Sequence, residues 1–290
     1  MVESVTHSMQ VQINRLKNLP ALPEASLKIL EAVNDPDIDI ERLVEVLSLS
    51  PALVARFLGL ANAAYFGQSR QINDLHSAIV RVLGLQLVKS LAIGVVLNVQ
   101  LDVSKCRRFD AHYFWLHSLL MAITAQKLAV ASRFEALPTA TVYTGGLLLH
   151  IGILVAAYLV PDAVDKALST ENTGYLDIND ELTLALGISH FELGYLLLNK
   201  WQLPNVYQNL LHHYAGQNLA DDDAHDLRCL FIASQHICSL LLDSPDEQAD
   251  RLEELAQETH LAVDVLRKVF SEMSGNKENI EKMAEVLGSS

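Results

Sequence analysis

The stretch Gly145-Gly146-Leu147-Leu148-Leu149-His150-Ile151-Gly152 decides how the chain folds. It lies inside an apolar run, Val142 to Val160, that holds no Asp, Glu, Lys or Arg. A run this long and this apolar predicts a helix that is hydrophobic all round, and such a helix belongs in a core. The competing reading is a membrane span, since about 20 apolar residues suffice to cross a bilayer. Three glycines, Thr144 and His150 weaken that reading, and no second span is expected beside it. His150 is the one ionisable side chain likened to a site here. On a buried helix a single histidine is most often a core residue satisfied by one hydrogen bond.

Composition agrees with a helical core. Of 290 residues, 50% are hydrophobic but only 6% aromatic, and Leu and Ala, both strong helix formers, dominate. With no alternating strand run, the expected fold class is all-α. The net charge of −14 comes with no basic stripe, which argues against direct nucleic-acid binding and against an anionic membrane surface. Cys106, Cys229 and Cys238 form no CxxC pair, and Met1-Val2-Glu3-Ser4 does not open a secretory signal. A soluble cytoplasmic protein is the expectation.

Outward from the central run, local signals set the helices. A first helix is expected over residues 4–18. Pro20 and Pro23 separate it from a second, which ends at Asn34-Asp35-Pro36-Asp37. Asp39 and Ser50-Pro51 are N-cap signals for two more, the latter running on to Tyr65-Phe66-Gly67. Ile72-Asn73-Asp74 introduces Leu75 to Leu83, Gly84 breaks it, and Leu85 to Val99 should be buried. Asn62 is read as a side chain that bonds backbone near that helix end. Leu101 to Arg108 is a polar connector that marks a boundary, and a long helix from Phe109 to Ala131 carries His112, Trp115 and His117. After the central helix, kinked at Gly152, residues 162–168 form a short helix and 171–180 the least regular segment. Ser189 caps His190 to Trp201, and Asn205 to Tyr214 ends in His212-His213. Residues 219–226 are an acidic loop, Leu227 to Leu242 an apolar helix, and 245–290 two or three amphipathic helices.

Gly146 to Gly152 resembles the G-L-L-H-D-I-G signature of the HD phosphohydrolase superfamily, in which the His-Asp pair binds a divalent metal. Here Leu149 stands at the His position and His150 at the Asp position, so the doublet is broken. The N-terminal half resembles the HDOD family, the HD-related output domain of bacterial signalling proteins. The residues that carry it are Leu19 to Pro23, Asp35-Pro36, Pro51-Ala52-Leu53, Ala61 to Gly67 and Ala78-Ile79 to Gly84. His117 falls at the position of the first ligand helix, His190 to Gly194 fits H-x-x-x-G, and His212-His213 fits an H-H step. The HD-GYP continuation is replaced by Tyr214-Ala215-Gly216-Gln217.

The resemblance implies an HD-like multi-helix bundle with an N-terminal helical subdomain. It divides the chain into residues 1–105, an HD-like bundle over 106–216 and a helical extension over 217–290. It implies a signal-transduction module with a degenerate site drawn from His117, His150, His190, His212 and His213. Hard ions such as Mg²⁺ want carboxylates, and Ser234, Gln235 and His236 stand where a later Asp is expected. An all-histidine set of His117, His150, His190 and His212 suits Zn²⁺, Ni²⁺ or Fe²⁺ instead. A non-catalytic regulatory scaffold that contacts other signalling proteins, or a copy of itself, is therefore expected over a metal-dependent phosphohydrolase acting on a cyclic or linear nucleotide.

Overall fold

The computed structural model describes residues 19–63, 71–99, 101–134, 138–169, 178–214, 222–242 and 248–288. Among the described residues every regular element is a helix and none is a strand, so the fold is all-α. The helix expected over residues 4–18 lies outside the described residues, as do Tyr65, Phe66 and Gly67. The helices are α1 Glu24–Asn34, α2 Ile40–Leu47, α3 Pro51–Ala61, α4 Leu75–Ala78 with a π-helical turn Ile79–Leu83, and α5 Leu85–Val99. Then come α6 Ala111–Ala131, α7 Thr139–Leu148, α8 Ile151–Leu159, α9 Pro161–Ala167, α10 Ile178–Leu186, α11 His190–Lys200 and α12 Asn205–Tyr214. The last three are α13 Asp222–Leu242, α14 Gln248–Thr259 and α15 Val263–Gly288.

The starts follow capping chemistry. Asp39, Ser50, Asp74, Asp110 and Ser189 each accept a hydrogen bond from the backbone N–H three residues on, satisfying one orphan donor of the first turn. Gly84 ends the π-helical turn at φ +79°, a left-handed conformation that glycine adopts without strain. Its N–H donates to Ile79 O at 2.8 Å.

Two compact units form, each collected from three separate stretches of chain. One comprises residues 1–23, 98–109 and 149–217; the other comprises 24–97, 110–148 and 218–290. The first unit is built on α8, which packs on α9 and α11, with α11 also on α12. Two ties fix its outlying segments. Asp165 on α9 accepts from the N–H groups of Arg107 and Arg108, at 3.1 and 2.7 Å, and from the Cys106 thiol at 3.3 Å. Lys200 Nζ donates to Leu19 O at 3.0 Å and Trp201 Nε1 to Pro20 O at 3.2 Å, so the end of α11 holds the Leu19-Pro20 strap.

The second unit is organised on α6. Its side chains from Phe114 to Ala125 are all buried, with α7, α13 and α15 packed around it. Lys89, the one charge on α5, reaches the carbonyl of Asp35 at 2.6 Å. Asn62 closes the end of α3: its Nδ2 donates to Leu58 O and Ile72 O, and its Oδ1 accepts from Ile72 N–H, all within 2.8 Å. The reading of Asn62 as a backbone-bonding side chain holds.

Several boundaries differ from the sequence reading. Helix α3 ends at Ala61, short of the expected Gly67, where the Asn62 side chain takes up Leu58 O and ties to the Ile72 backbone. Asn179 and Asp180 are helical, and α13 begins at Asp222 inside the expected acidic loop. In α10 the carboxylates of Asp180 and Glu181 sit in the first turn, where the helix dipole favours them. The central run is two helices, and the break is at Leu149-His150 instead of Gly152. His150 takes φ −99° and ψ 13°, in the bridge region between helix and extended backbone. Finally, α6 is a second helix long and apolar enough to cross a membrane, which corrects the expectation of none beside the central run. By length and composition alone the two stand equal, but 89% of the most apolar window in Thr139–Leu159 and 78% of that in Ala111–Ala131 is buried inside the protein.

Candidate functional site

The first unit brings two of the predicted histidines together. His150 sits between α7 and α8, at the N-cap position of α8; His190 is the first residue of α11. Ser189 fixes the start of α11 by accepting from Glu192 N–H at 3.1 Å, and that sets the direction of the His190 side chain. Helices α8 and α11 then cross at glycine. A Cβ on Gly152 would stand 1.7 Å from the carbonyl oxygen of His190, closer than any side chain tolerates. Gly194 completes the crossing, since its Cβ would meet Ile151 and Leu211 side chains at 3.1 Å. The glycine of H-x-x-x-G is thus a packing residue, and Gly152 admits the backbone of the very histidine it faces.

The result is a fully buried pair. His150 Nδ1 and His190 Nε2 are 3.0 Å apart in a hydrogen bond, with ring planes 25° apart, and both residues have 0% exposure. Of the two facing nitrogens, one carries the proton and the other accepts it. Phe191 covers the pair, its ring centroid 3.9 Å from that of His190 and 5.9 Å from that of His150. Tyr214 packs against Phe191 with ring centroids 4.7 Å apart and planes tilted by 58°. Neither aromatic was singled out from the sequence. Phe191 follows directly on the histidine, and the alternation of aromatic and histidine from His190 to Phe191 was the available signal.

The other predicted residues have neighbours of their own. His212, on α12, packs against Tyr195 with ring centroids 4.9 Å apart, and His213 is its edge-on neighbour at 6.5 Å. His117 belongs to the second unit, on α6, where it is 2% exposed and lies 6.4 Å from the Tyr113 ring. Burial alone pushes its pKa down to about 3, so it is neutral at pH 7. On α13, Ser234 is buried and donates to Leu230 O at 2.8 Å, while His236 Nδ1 faces Arg251 at 3.3 Å. Burial first, then Arg251, lowers the His236 pKa.

The donor set does not fit the divalent metal of HD proteins. In the neutral pair the ring that donates across the contact has its remaining lone pair on its other nitrogen, and the ring that accepts has its N–H there, so the pair offers a single ligating lone pair. No carboxylate joins them in a ligand group: among the described residues no three His, Cys, Asp or Glu side chains gather as a metal ion requires.

The model of the HDOD domain family matches residues 19–215, and the chain belongs to that family. An uncharacterised protein of Treponema pallidum (strain Nichols) is 30% identical over 205 residues, 69% of this chain. The match spans 38% of that protein's length. Among solved structures, a candidate phosphohydrolase from Shewanella amazonensis SB2B is similar with a TM-score of 0.75 and 24% identity, covering 95% of this chain and 97% of its own. A candidate signal-transduction protein from Marinobacter aquaeolei VT8 also reaches 0.75, at 20% identity, covering 98% of this chain and 66% of its own. At these identities the likeness is one of fold.

Proposed function

We propose that this protein is a cytoplasmic signalling module that keeps the helical shell of HD proteins and works without catalysis. The observation that carries the reading is the His150–His190 pair. The position at which HD enzymes place a metal-binding Asp is here a neutral-type ligand, bonded to a second histidine and sealed under Phe191. Phosphoryl transfer by a metal needs an open coordination site, a water to activate and compensation for a dication. A closed histidine pair offers structure instead: it joins the start of α8 to the start of α11 through side chains, as Gly152 joins them through backbone. The family membership supports an output role, and the partners in this reading are other signalling proteins or a second copy of the chain.

The test is turnover. Purified protein is assayed with cyclic dinucleotides and nucleotide monophosphates in the presence of Mg²⁺, Mn²⁺, Fe²⁺, Ni²⁺ or Zn²⁺, with elemental analysis of the same sample. The expected result is no hydrolysis above that of the His190→Ala protein and no stoichiometric metal. Hydrolysis that is lost in both His150→Ala and His190→Ala proteins would establish the phosphohydrolase reading in its place.

A further inference from the structure

The second unit contains a cleft of about 370 Å³ among α5, α6, α7 and α15. That volume falls in the range of about 300–1,000 Å³ usual for small-ligand sites. Its walls combine leucine and isoleucine side chains with five polar residues, Gln86, Ser90, Gln126, Lys127 and Tyr143. Two of these are almost wholly buried, Ser90 at 4% and Tyr143 at 5% exposure. Ser90 Oγ lies 2.6 Å from Thr144 Oγ1 and 3.0 Å from Gln86 O, and Thr144 Oγ1 lies 3.0 Å from Ala140 O. Three contacts share two hydroxyl protons. When Thr144 donates to Ala140 and Ser90 to Thr144, the Ser90 oxygen keeps its lone pairs for another donor.

The charge on the wall has one sign. Among the described residues no Asp or Glu lines the cleft, although the chain as a whole carries −14. Lys127 is the one cation among them, and its Nζ is held 2.6 Å from Glu272 of α15. Both side chains remain over a third exposed, 35% and 39%. Solvent screens an ion pair this exposed, so exchanging one carboxylate for another costs little. Met283, also on α15, supplies a deformable wall.

We propose that this cleft binds a small organic carboxylate with an apolar body, whose carboxylate takes Lys127 from Glu272. The body lies against the aliphatic wall and Met283, while the amides of Gln86 and Gln126 and the hydroxyls of Ser90 and Tyr143 set its orientation. Helix α15 lies beyond the matched family segment and supplies both the competing carboxylate and a wall. Occupancy therefore changes a contact between α6 and α15. This site is independent of the histidine pair and of whether any hydrolysis occurs.

Hexanoate is the probe, with hexylammonium as the charge-reversed control, titrated into the 290-residue chain and followed by amide chemical shifts. The expected result is saturable hexanoate binding with shifts centred on Gln86, Ser90, Gln126 and Tyr143, and none with hexylammonium. Lys127→Met should weaken hexanoate about ten-fold, and Glu272→Gln, which removes the competitor, should strengthen it several-fold. Both proteins are checked by thermal melting. Equal binding of hexylammonium, or hexanoate binding that both substitutions leave unchanged, overturns the proposal. So does the absence of hexanoate binding to the Glu272→Gln protein.

Discussion

Gly146 and Gly152 stand in one apolar run and serve the same purpose in different units. Each lets a helix come close to a neighbour's backbone. At Gly146 the neighbour is α6: a Cβ would meet Ala122 Cα at 2.9 Å and Met121 O at 3.0 Å. At Gly152 it is the start of α11, with His190 O at 1.7 Å. The first contact is a tight helix crossing in which the atoms in the way are also backbone, so α6 and α7 themselves must move apart, by less than the 1.7 Å contact at Gly152 demands. The second is an interlock, because the atom in the way is the backbone of a buried histidine that is itself bonded to His150. Tight packing serves the core at one glycine and the candidate site at the other.

The harshest way to break both regions at once is Leu148→Asp, at the end of α7. Leu148 is 1% exposed, and an unpaired carboxylate there should cost about 4 kcal/mol or more. Loss of the cooperative thermal transition, or recovery of the protein only in aggregates, is the expected readout. Gly152→Ala separates the two. It should destabilise by about 3 kcal/mol, since overpacking against backbone has no side chain to yield. Hydrogen exchange should rise first in α8 and α11. Gly146→Ala gains about 1 kcal/mol of helix propensity against a milder clash, leaving a net cost of about 1 kcal/mol in urea unfolding. If both glycine variants melt alike, the distinction between crossing and interlock fails.

A different comparison sets the paired histidines against His117, whose pKa burial lowers. Its pKa of about 3 in the folded protein lies below the unfolded value of about 6.5. The unfolded chain therefore takes up a proton first as pH falls. This stabilisation is complete above about pH 6.5 and is lost progressively toward pH 3, by about 2 kcal/mol between pH 7 and pH 5. Urea unfolding at the two pH values should show it, and His117→Gln should flatten the dependence whatever it does to stability at pH 7. An unchanged slope would mean that another group governs acid sensitivity.

The fold was legible where capping and breaking residues are chemically explicit. Asp39, Ser50 and Ser189 marked true helix starts, Gly84 a true break, and Asn62 a true backbone tie. The all-α class followed from the apolar periodicity, and the family from the order of its motifs. The ends of α3, α10 and α13 were less legible, because a turn-forming residue and a helix-dipole-favoured carboxylate are the same Asn or Asp in sequence. For the candidate site, the pairing of His190 with a histidine of the central run was within reach of motif positions. The break at His150 was not, since a bridge-region backbone at a non-glycine residue leaves no local trace. Nor did any spacing show that Phe191 caps the pair, or that Gly152 admits a carbonyl rather than a kink.

The interleaving of the two units bears on how the chain is made. Helix α6 ends at Ala131, yet α15, which lies along it, is complete only at Gly288. At about 5–20 residues per second, synthesis leaves the apolar flank of α6 without that partner for on the order of ten seconds. A ribosome-bound chain halted after residue 215, the end of the family-matched segment, holds α6 and α7 but none of α13, α14 or α15. Such a chain leaves uncovered the face of α6 on which α13 and α15 pack. The segment that defines the family is therefore a poor unit for expression by itself, and the C-terminal helices act late, as the closing piece of an already committed core.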